Sequence, residues 1–96
     1  MRLSHIQKDV LFLLYVFITR GVKKPVANMV LLTMINDSRG NGIADRNFRT
    51  SCHTMKENGL LTEYRGKGHT LHWTLTEAGL DKAMPIFKER MAEAEQ

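Results

Sequence analysis

The chain of 96 residues is long enough for one small domain with a limited hydrophobic core. Its composition, 43% hydrophobic and 25% charged, is that of a globular protein and excludes extensive disorder. The formal net charge of +4 favours an anionic partner. Positive charge is concentrated in residues 1–24 and 39–68, whereas residues 69–96 are acidic overall. The single cysteine excludes an internal disulfide bond.

The first predicted helix begins at a capping box. In Ser4-His-Ile-Gln7 the two outer side chains can satisfy free backbone N–H groups at a helix start. The helix should run to about Arg20 and end at Gly21. Its apolar stretch, residues 10–18, is much shorter than the roughly 20 residues needed to span a bilayer, and it shows no secretory cleavage pattern. We therefore expect a cytoplasmic protein without a membrane partner.

The apolar stretch of this first helix also predicts a partner subunit. A helix that is apolar on every side must be covered on every side. One side of residues 10–18 can pack against its own domain, whereas the other side, with Leu13 and Phe17, needs a neighbour. A second copy of the chain would supply that neighbour, so the first helix is a candidate part of a dimer interface.

The second predicted helix runs from Val26 to about Asn36. Pro25 suits its first turn, because the N–H that proline lacks would have no acceptor within the helix. The apolar content of this segment predicts mainly a supporting role. Lys23 and Lys24 precede the helix, at a place where proteins often contact phosphates. Plain surface charge is the alternative interpretation of these two lysines, and the sequence leaves it open.

The third predicted helix carries the most informative pattern. Phe48, Cys52 and Met55 recur at intervals of four and three residues, which places them on one buried face. Asp45 can cap the start of this helix, and Asn58-Gly59 supplies a left-handed stop at its end. Because it lies on the buried face, Cys52 is expected to be a packed thiol.

The opposite face of this helix carries side chains that bind base edges and phosphates. In a major groove, arginine favours guanine and asparagine favours adenine. An ordinary solvated helix face is the alternative. The residues expected to face DNA are Arg46, Asn47, Arg49, Thr50 and His53, with Thr54 on the same side.

Residues 62–74 predict a β-hairpin. From Thr70 to Leu75, apolar and polar residues alternate, as expected for a strand with one buried face. Two glycines flank Lys67 at the turn and relax the steric limit on φ there. Arg65 and Lys67 should project from this tip, where cations can enter a minor groove or pair with phosphates. A solubilising turn is the alternative.

The last predicted helix begins at Thr76 and runs to about Glu93. Its apolar side chains recur as expected for a helix packed along another helix. Pro85 removes a backbone hydrogen bond and should kink the helix. Because a small domain offers this helix little surface, we expect it to pack against the first helix of a partner subunit, with packing against residues 10–18 of its own chain as the alternative. The apolar stripe consists of Leu80, Met84, Phe87 and Met91.

Three motifs follow one another along the chain: Met55-Lys-Glu-Asn-Gly-Leu-Leu61, the basic hairpin, and Trp73-Thr-Leu-Thr-Glu-Ala-Gly79. This order resembles winged helix-turn-helix regulators of the MarR-like and PadR-like kind, in which a helix, Gly-Leu-Leu, a wing, Leu-Thr-Glu-x-Gly and a long helix follow one another. The resemblance covers roughly residues 4–94 and is specific from residue 45 to 79. It implies that residues 46–54 form the recognition helix, that residues 65–69 form the wing, and that the protein is a dimer.

The expected fold is a mainly α-helical winged helix-turn-helix with a small β-hairpin wing and four helices, in the order α-α-α-β-β-α. Residues 1–96 form one domain, in which residues 76–94 are a C-terminal dimerisation helix. Residues 37–44, between the second and third helices, depart from the resembled pattern, because they are longer and richer in glycine than its tight turn.

These features predict a sequence-specific transcription regulator that binds double-stranded DNA, as a homodimer that represses by occluding a promoter. The alternative is a winged-helix protein-interaction module in a larger plasmid or phage maintenance assembly. The sequence contains no phosphate-binding loop, nucleophile motif or paired catalytic carboxylates, and its four histidines lack the spacing of a metal site. We therefore expect no enzyme activity, metal or cofactor. No feature identifies a small-molecule effector.

Overall fold

The computed structural model describes residues 2–40 and 42–95, so that Met1, Asn41 and Gln96 lie outside the described residues. Four helices and a three-stranded antiparallel sheet make up this part of the chain. The helices are α1 (His5–Thr19), α2 (Asn28–Arg39), α3 (Asp45–Glu57) and α4 (Glu77–Ala94). The strands are β1 (Val26–Ala27), β2 (Leu61–Arg65) and β3 (Leu71–Leu75), in the sheet order β1-β3-β2. The predicted fold of four helices with a β-hairpin is confirmed.

The start and end of α1 follow the predicted signals. The Gln7 backbone N–H donates to the Ser4 hydroxyl at 3.1 Å, and the Ser4 backbone N–H donates to Gln7 Oε1 at 3.0 Å. After the helix, Gly21 adopts a positive φ of 83°, which turns the chain away. The capping box and the glycine stop are therefore confirmed. Among the residues that the structure describes, no helix combines the length and apolarity that crossing a bilayer requires.

The prediction that Pro25 opens a helix is wrong. The chain instead forms β1 here, an edge strand in which Val26 pairs with Trp73 of β3. Proline suits the approach to an edge strand because it lacks the N–H that a central strand would need. Val26 is buried, and β-branched residues favour such a pleated surface. As a result α2 begins and ends later than predicted, at Asn28 and Arg39.

The Asn36 side chain binds the backbone of the connection between α2 and α3. The Asn36 amide nitrogen donates to the Ile43 carbonyl at 3.3 Å, and the Ile43 backbone N–H donates to the Asn36 side-chain oxygen at 2.8 Å. Gly40 ends α2 with a left-handed φ of 67°. Because α2 extends to Arg39, the connection is shorter than the sequence predicted, and Asn36 holds its last part beside α2.

The hydrophobic core forms where α1, α2, α3 and β3 meet. Phe48, Cys52 and Met55 are fully buried, which confirms the predicted inner face of α3, and Trp73 of β3 is fully buried with them. Burial raises the pKa of the Cys52 thiol to about 12, so the thiol stays protonated and weakly nucleophilic at neutral pH. Other core side chains are Val10, Leu11, Leu14, Leu31, Leu32, Ile35, Leu60 and Leu61.

The start of α4 lies very close to the chain that follows α3. The Thr76 hydroxyl donates to the Gly59 carbonyl at 2.6 Å and accepts a hydrogen bond from the Gly79 N–H at 3.0 Å, which confirms that Thr76 opens the helix. A Cβ atom at Gly79 would lie 2.0 Å from the Leu60 carbonyl oxygen. Glycine at this position is therefore a requirement of the close backbone approach.

α4 packs along α1 of its own chain. The centroid of the Phe87 ring lies 4.8 Å from that of Tyr15 and 6.0 Å from that of Phe12. The Arg90 guanidinium lies over the Phe12 ring, 4.9 Å from its centroid. The expectation that the domain offers α4 little surface is therefore wrong, because aromatic side chains of α1 contact Phe87 within the chain and leave it partly buried, as in the alternative of packing against residues 10–18. The helix continues through Pro85, where a kink stays a prediction.

A buried carboxylate in α1 joins three helices. Asp9 Oδ1 accepts hydrogen bonds from Arg39 Nη2 of α2 and from Arg90 Nη2 of α4, each at 2.9 Å. Arg39 Nε also donates to Asp9 Oδ2, and this hydrogen-bonded pairing raises the pKa of Arg39 above its ordinary value. The sequence did not indicate the cluster, because its two arginines lie 30 and 81 residues from Asp9.

Candidate nucleic-acid interface

The outer face of α3 presents the side chains that the sequence predicts for DNA contact. Arg46, Asn47, Arg49 and Thr50 are exposed, whereas His53 is partly buried. The Thr50 hydroxyl donates to the Arg46 carbonyl at 3.0 Å. Thr50 therefore offers a partner its methyl group and oxygen lone pairs rather than a free O–H donor.

Asp45 does not cap α3. Ala44 is the N-cap residue, and Asp45 is the first residue of the helix. Asp45 Oδ2 lies 3.2 Å from Arg49 Nε, and Asp45 Oδ1 accepts a hydrogen bond from the Asn28 amide at 3.2 Å. These two partners hold the carboxylate at the side of the helix, so the predicted capping role is wrong. The negative charge still lies in the first turn, near the positive end of the helix.

Asn28 connects the Asp45–Arg49 pair to the core. Its side-chain oxygen accepts a hydrogen bond from the Trp73 indole N–H at 3.0 Å, while its amide donates to Asp45. Asn28 and Trp73 are both buried, so the network runs from the core to Arg49 at the surface. Such a network restricts the orientation of Arg49. Sequence reasoning missed Asn28, because its indole partner is 45 residues away.

The β2–β3 hairpin forms the predicted wing. Its strands are antiparallel and pair along their whole length. At the tip, Gly68 and His69 adopt positive φ angles of 70° and 62°. Lys67 is exposed there, as predicted. The wing tip therefore presents a cation on a tightly turned backbone.

The side chain of Arg65 does not project from the tip as predicted. Its Nη1 donates to the His69 carbonyl at 3.2 Å, and its Nε donates to Glu63 Oε2 at 2.9 Å. These two bonds fold the guanidinium back along the wing. The sequence predicted a cation that projects from the tip, whereas the structure shows one paired with an acidic side chain of the same strand.

Glu63 of β2 lies on the wing beside α3, among three basic side chains. Its Oε1 accepts a hydrogen bond from Lys56 Nζ at 3.0 Å and lies 3.6 Å from His53 Nδ1, while its Oε2 binds Arg65. The hydrogen bond from Lys56, together with that from Arg65, holds the pKa of the Glu63 carboxyl below its ordinary value. The His53 ring also meets the Trp73 ring edge-on, at 5.2 Å between centroids. We call Glu63, His53, Lys56 and Arg65 the Glu63 cluster.

Sequence reasoning missed Lys56 and Glu63, although one signal was present. Lys56 follows His53 by one helical turn and Arg49 by two, so helical spacing places it near both. Glu63 is the register partner of Trp73 and therefore shares its face of the sheet. That register depends on where the wing turns, which the sequence showed only approximately.

α3 and the wing border one open cleft. It has a volume of about 270 Å³, and its walls include Arg49 of α3 and Arg65 of the wing. Asn28 and Met29 of α2 and His69 of the wing tip also line it. Two basic elements that the sequence predicted separately thus lie on the same surface.

Lys23 and Lys24 lie in a different place from that predicted. They precede β1 rather than the predicted helix start, and α2 begins only after this strand, at Asn28. Both border an apolar groove of about 360 Å³ between the end of α1 and β3. Lys24 also borders a surface depression with Arg65 and Gly66 of the wing. A phosphate contact by either lysine stays a prediction.

The residues predicted for a dimer interface differ in how far their own chain covers them. Phe87 packs against α1, as described above. Met84 and Met91 remain 37% and 38% exposed. Three others are partly buried: Leu13, Phe17 and Leu80. Their contact with a second copy stays a prediction.

The sequence matches no protein-family model and no curated protein. The fold, in contrast, is similar to several solved structures. RosR from H. salinarum has a TM-score of 0.75 at 14% identity, over 95% of this chain and 76% of RosR. F-93 of SSV1 has a TM-score of 0.63 at 16% identity, over 92% of this chain and 90% of F-93.

The Adhesin competence repressor AdcR from Streptococcus pyogenes has a TM-score of 0.65 at 18% identity, over 98% of this chain and 59% of AdcR. At such low identities these likenesses establish the fold. Assignment to the MarR-like or PadR-like kind stays a prediction. The chain has the winged helix-turn-helix fold, as its motifs predicted.

Proposed function

We propose that this protein is a transcription regulator that binds double-stranded DNA through α3 and the wing. The observation that carries the proposal is the cleft bordered by Arg49 of α3 and Arg65 of the wing, because one surface then presents both basic elements to an anionic partner. The solved structures of similar fold support it, since one of them, AdcR, is named a repressor. Such a regulator would act in the cytoplasm.

In this proposal α3 enters the major groove. Its 13 residues span about 20 Å, and the groove, roughly 12 Å wide, admits a helix. Arg46 and Arg49 would contact guanine edges or phosphates, and Asn47 would contact adenine. The Thr50 methyl group suits contact with thymine, because the Thr50 hydroxyl hydrogen is already donated within the helix. Lys67 at the wing tip would bind backbone phosphates.

Duplex binding across a series of salt concentrations tests the proposal. Fluorescence anisotropy of a labelled duplex should show log K falling with log salt concentration by roughly 0.9 unit for each phosphate neutralised. Selection from random duplexes should then enrich one sequence, since base contacts specify the site. Absence of duplex binding, or binding that does not depend on salt, would contradict the proposal.

We further infer that the regulator is a homodimer formed through α1 and α4, and that it represses by occluding a promoter. Met84 and Met91 support this arrangement, because they stay more than a third exposed on α4 while Phe87 packs within the chain. Two recognition helices related by a two-fold axis would bind half-sites roughly 10 base pairs apart. Sedimentation at micromolar concentration tests the inference: a monomer with full affinity for one half-site would refute it.

A protein-interaction module, for instance in a plasmid or phage maintenance assembly, is the second candidate function. It is favoured by Met29, Val30 and Met34, which α2 leaves 58%, 45% and 40% exposed. Exposed apolar patches often mark protein contact surfaces. The salt series distinguishes the two functions, since docking through an apolar face would not produce the steep salt dependence of phosphate contacts.

A further inference from the structure

The Glu63 cluster places an acid on the surface proposed to bind DNA. The Glu63 side chain is 15% exposed, whereas those of Lys56 and Arg65 are 47% and 53% exposed. The single carboxylate engages both cations, Lys56 from α3 and Arg65 from the wing. Carboxylate and phosphate oxygens bind these donors in the same way. The carboxylate therefore already occupies donors that a DNA phosphate would need.

We propose that Glu63 is an intramolecular competitor of the DNA backbone, which binds Lys56 and Arg65 in the free protein and must release them before they contact phosphates. This inference rests on the proposed function. Competition by the Glu63 carboxylate makes the affinity for any duplex lower than the number of exposed cations implies. Because no base edge takes part in the exchange, preferred and random duplexes are affected equally.

A purely structural role for Glu63 has the opposite consequence. If the carboxylate only braced the wing against α3, its removal would loosen the wing and weaken DNA binding. If it competes with phosphate, its removal frees two cations and strengthens binding. The direction of the change in affinity therefore separates the two roles.

Glu63→Gln is the informative variant, because glutamine has nearly the same shape but no charge. Each exposed ion pair is worth about 1.5- to 5-fold in an equilibrium constant. Freeing Lys56 and Arg65 should therefore tighten binding to a random duplex by about 2- to 25-fold. The slope of log K against log salt concentration should become steeper by roughly one to two units.

Glu57→Gln is the matched control. Glu57 is exposed at the end of α3 and, in the part of the chain that the structure describes, forms no ion pair with Lys56 or Arg65. Both variants lose one negative charge near the proposed interface. A general charge effect would raise the affinity equally in both, whereas competition raises it more in Glu63→Gln.

Arg65→Gln, made in the unaltered protein and in Glu63→Gln, completes a double-mutant cycle. Competition predicts that Arg65→Gln weakens duplex binding at least about twofold more in Glu63→Gln, because only there has the guanidinium lost its competing carboxylate. Additive effects, or equal affinities of Glu57→Gln and Glu63→Gln, would overturn the inference. Duplex binding by the unaltered protein is measured first, and its absence would refute the proposed function itself.

A measurement on the unaltered protein covers the case in which a variant fails to fold. The carboxyl carbon resonance of Glu63 in an NMR spectrum should shift when a random duplex saturates the protein, because the carboxylate then loses its two cations. The resonance of Glu57 is the internal control. An unchanged Glu63 resonance at saturation would overturn the inference.

Discussion

Asp9→Asn tests whether the buried carboxylate ties α4 to the rest of the domain. Asp9 is buried and binds Arg39 of α2 and Arg90 of α4. Asparagine keeps the shape of the side chain, but its neutral oxygen is a weaker acceptor for two guanidinium groups. We expect a loss of stability, because both arginines lose a charged partner in a poorly hydrated site.

The magnitude of this loss depends on the exposure of the two arginines. A buried charge left without its partner costs about 3–5 kcal/mol. The side chains of Arg39 and Arg90 are 34% and 31% exposed, so water can replace part of the lost interaction. We therefore expect a decrease of about 1–3 kcal/mol in the free energy of unfolding. In a domain of this size, each kcal/mol lowers Tm by about 4–8 °C.

Thermal unfolding followed by circular dichroism measures the effect. Asp37→Asn is the control, because Asp37 is an exposed acid on α2 and the substitution removes the same charge. Arg90→Gln should give an intermediate Tm, since it removes the α4 partner and leaves the pair with Arg39 intact. If Asp9→Asn and Asp37→Asn have the same Tm, the three-helix connection contributes nothing measurable and the reasoning is wrong.

Arg49→Ala should reduce the affinity for the selected duplex by about 1–3 kcal/mol and relax base preference at one position; competition binding that shows neither change would remove Arg49 from the interface. Lys67→Gln should weaken all duplexes about equally and lower the salt slope by roughly one unit, whereas a loss confined to one sequence would indicate base reading by the wing. Met84→Glu combined with Met91→Glu should give monomers in sedimentation that bind DNA far more weakly, because each engages one half-site, and an unaffected dimer would exclude this face of α4. Cys52, whose pKa burial raises to about 12, should react with a thiol reagent only as the protein unfolds; a rate typical of an exposed thiol would contradict its burial.

Local periodicity was sufficient to predict α3 but not β1. Phe48 and Met55 are both fully buried, because a helical repeat of 3.6 residues brings them to one side whatever the helix packs against. β1 contains two residues and exists through its pairing with β3, so no local period can show it. Phe87 shows a related limit: its spacing predicted packing along a helix, with residues 10–18 of the same chain as one alternative, but spacing alone did not decide which copy of that helix contacts it.

The sequence predicted which basic side chains of the candidate site are exposed. Spacing identified Arg49 and the wing cations as accessible, but it did not show what each one binds in the free protein. Arg49 is paired with Asp45, which is held in turn by an amide 17 residues away, and Arg65 is paired with Glu63. If the protein binds DNA as proposed, each of these cations must exchange an internal carboxylate for a phosphate, so its net contribution is the difference between two similar interactions. Counting exposed basic residues therefore overestimates the free energy of DNA binding, and the acids beside them determine by how much.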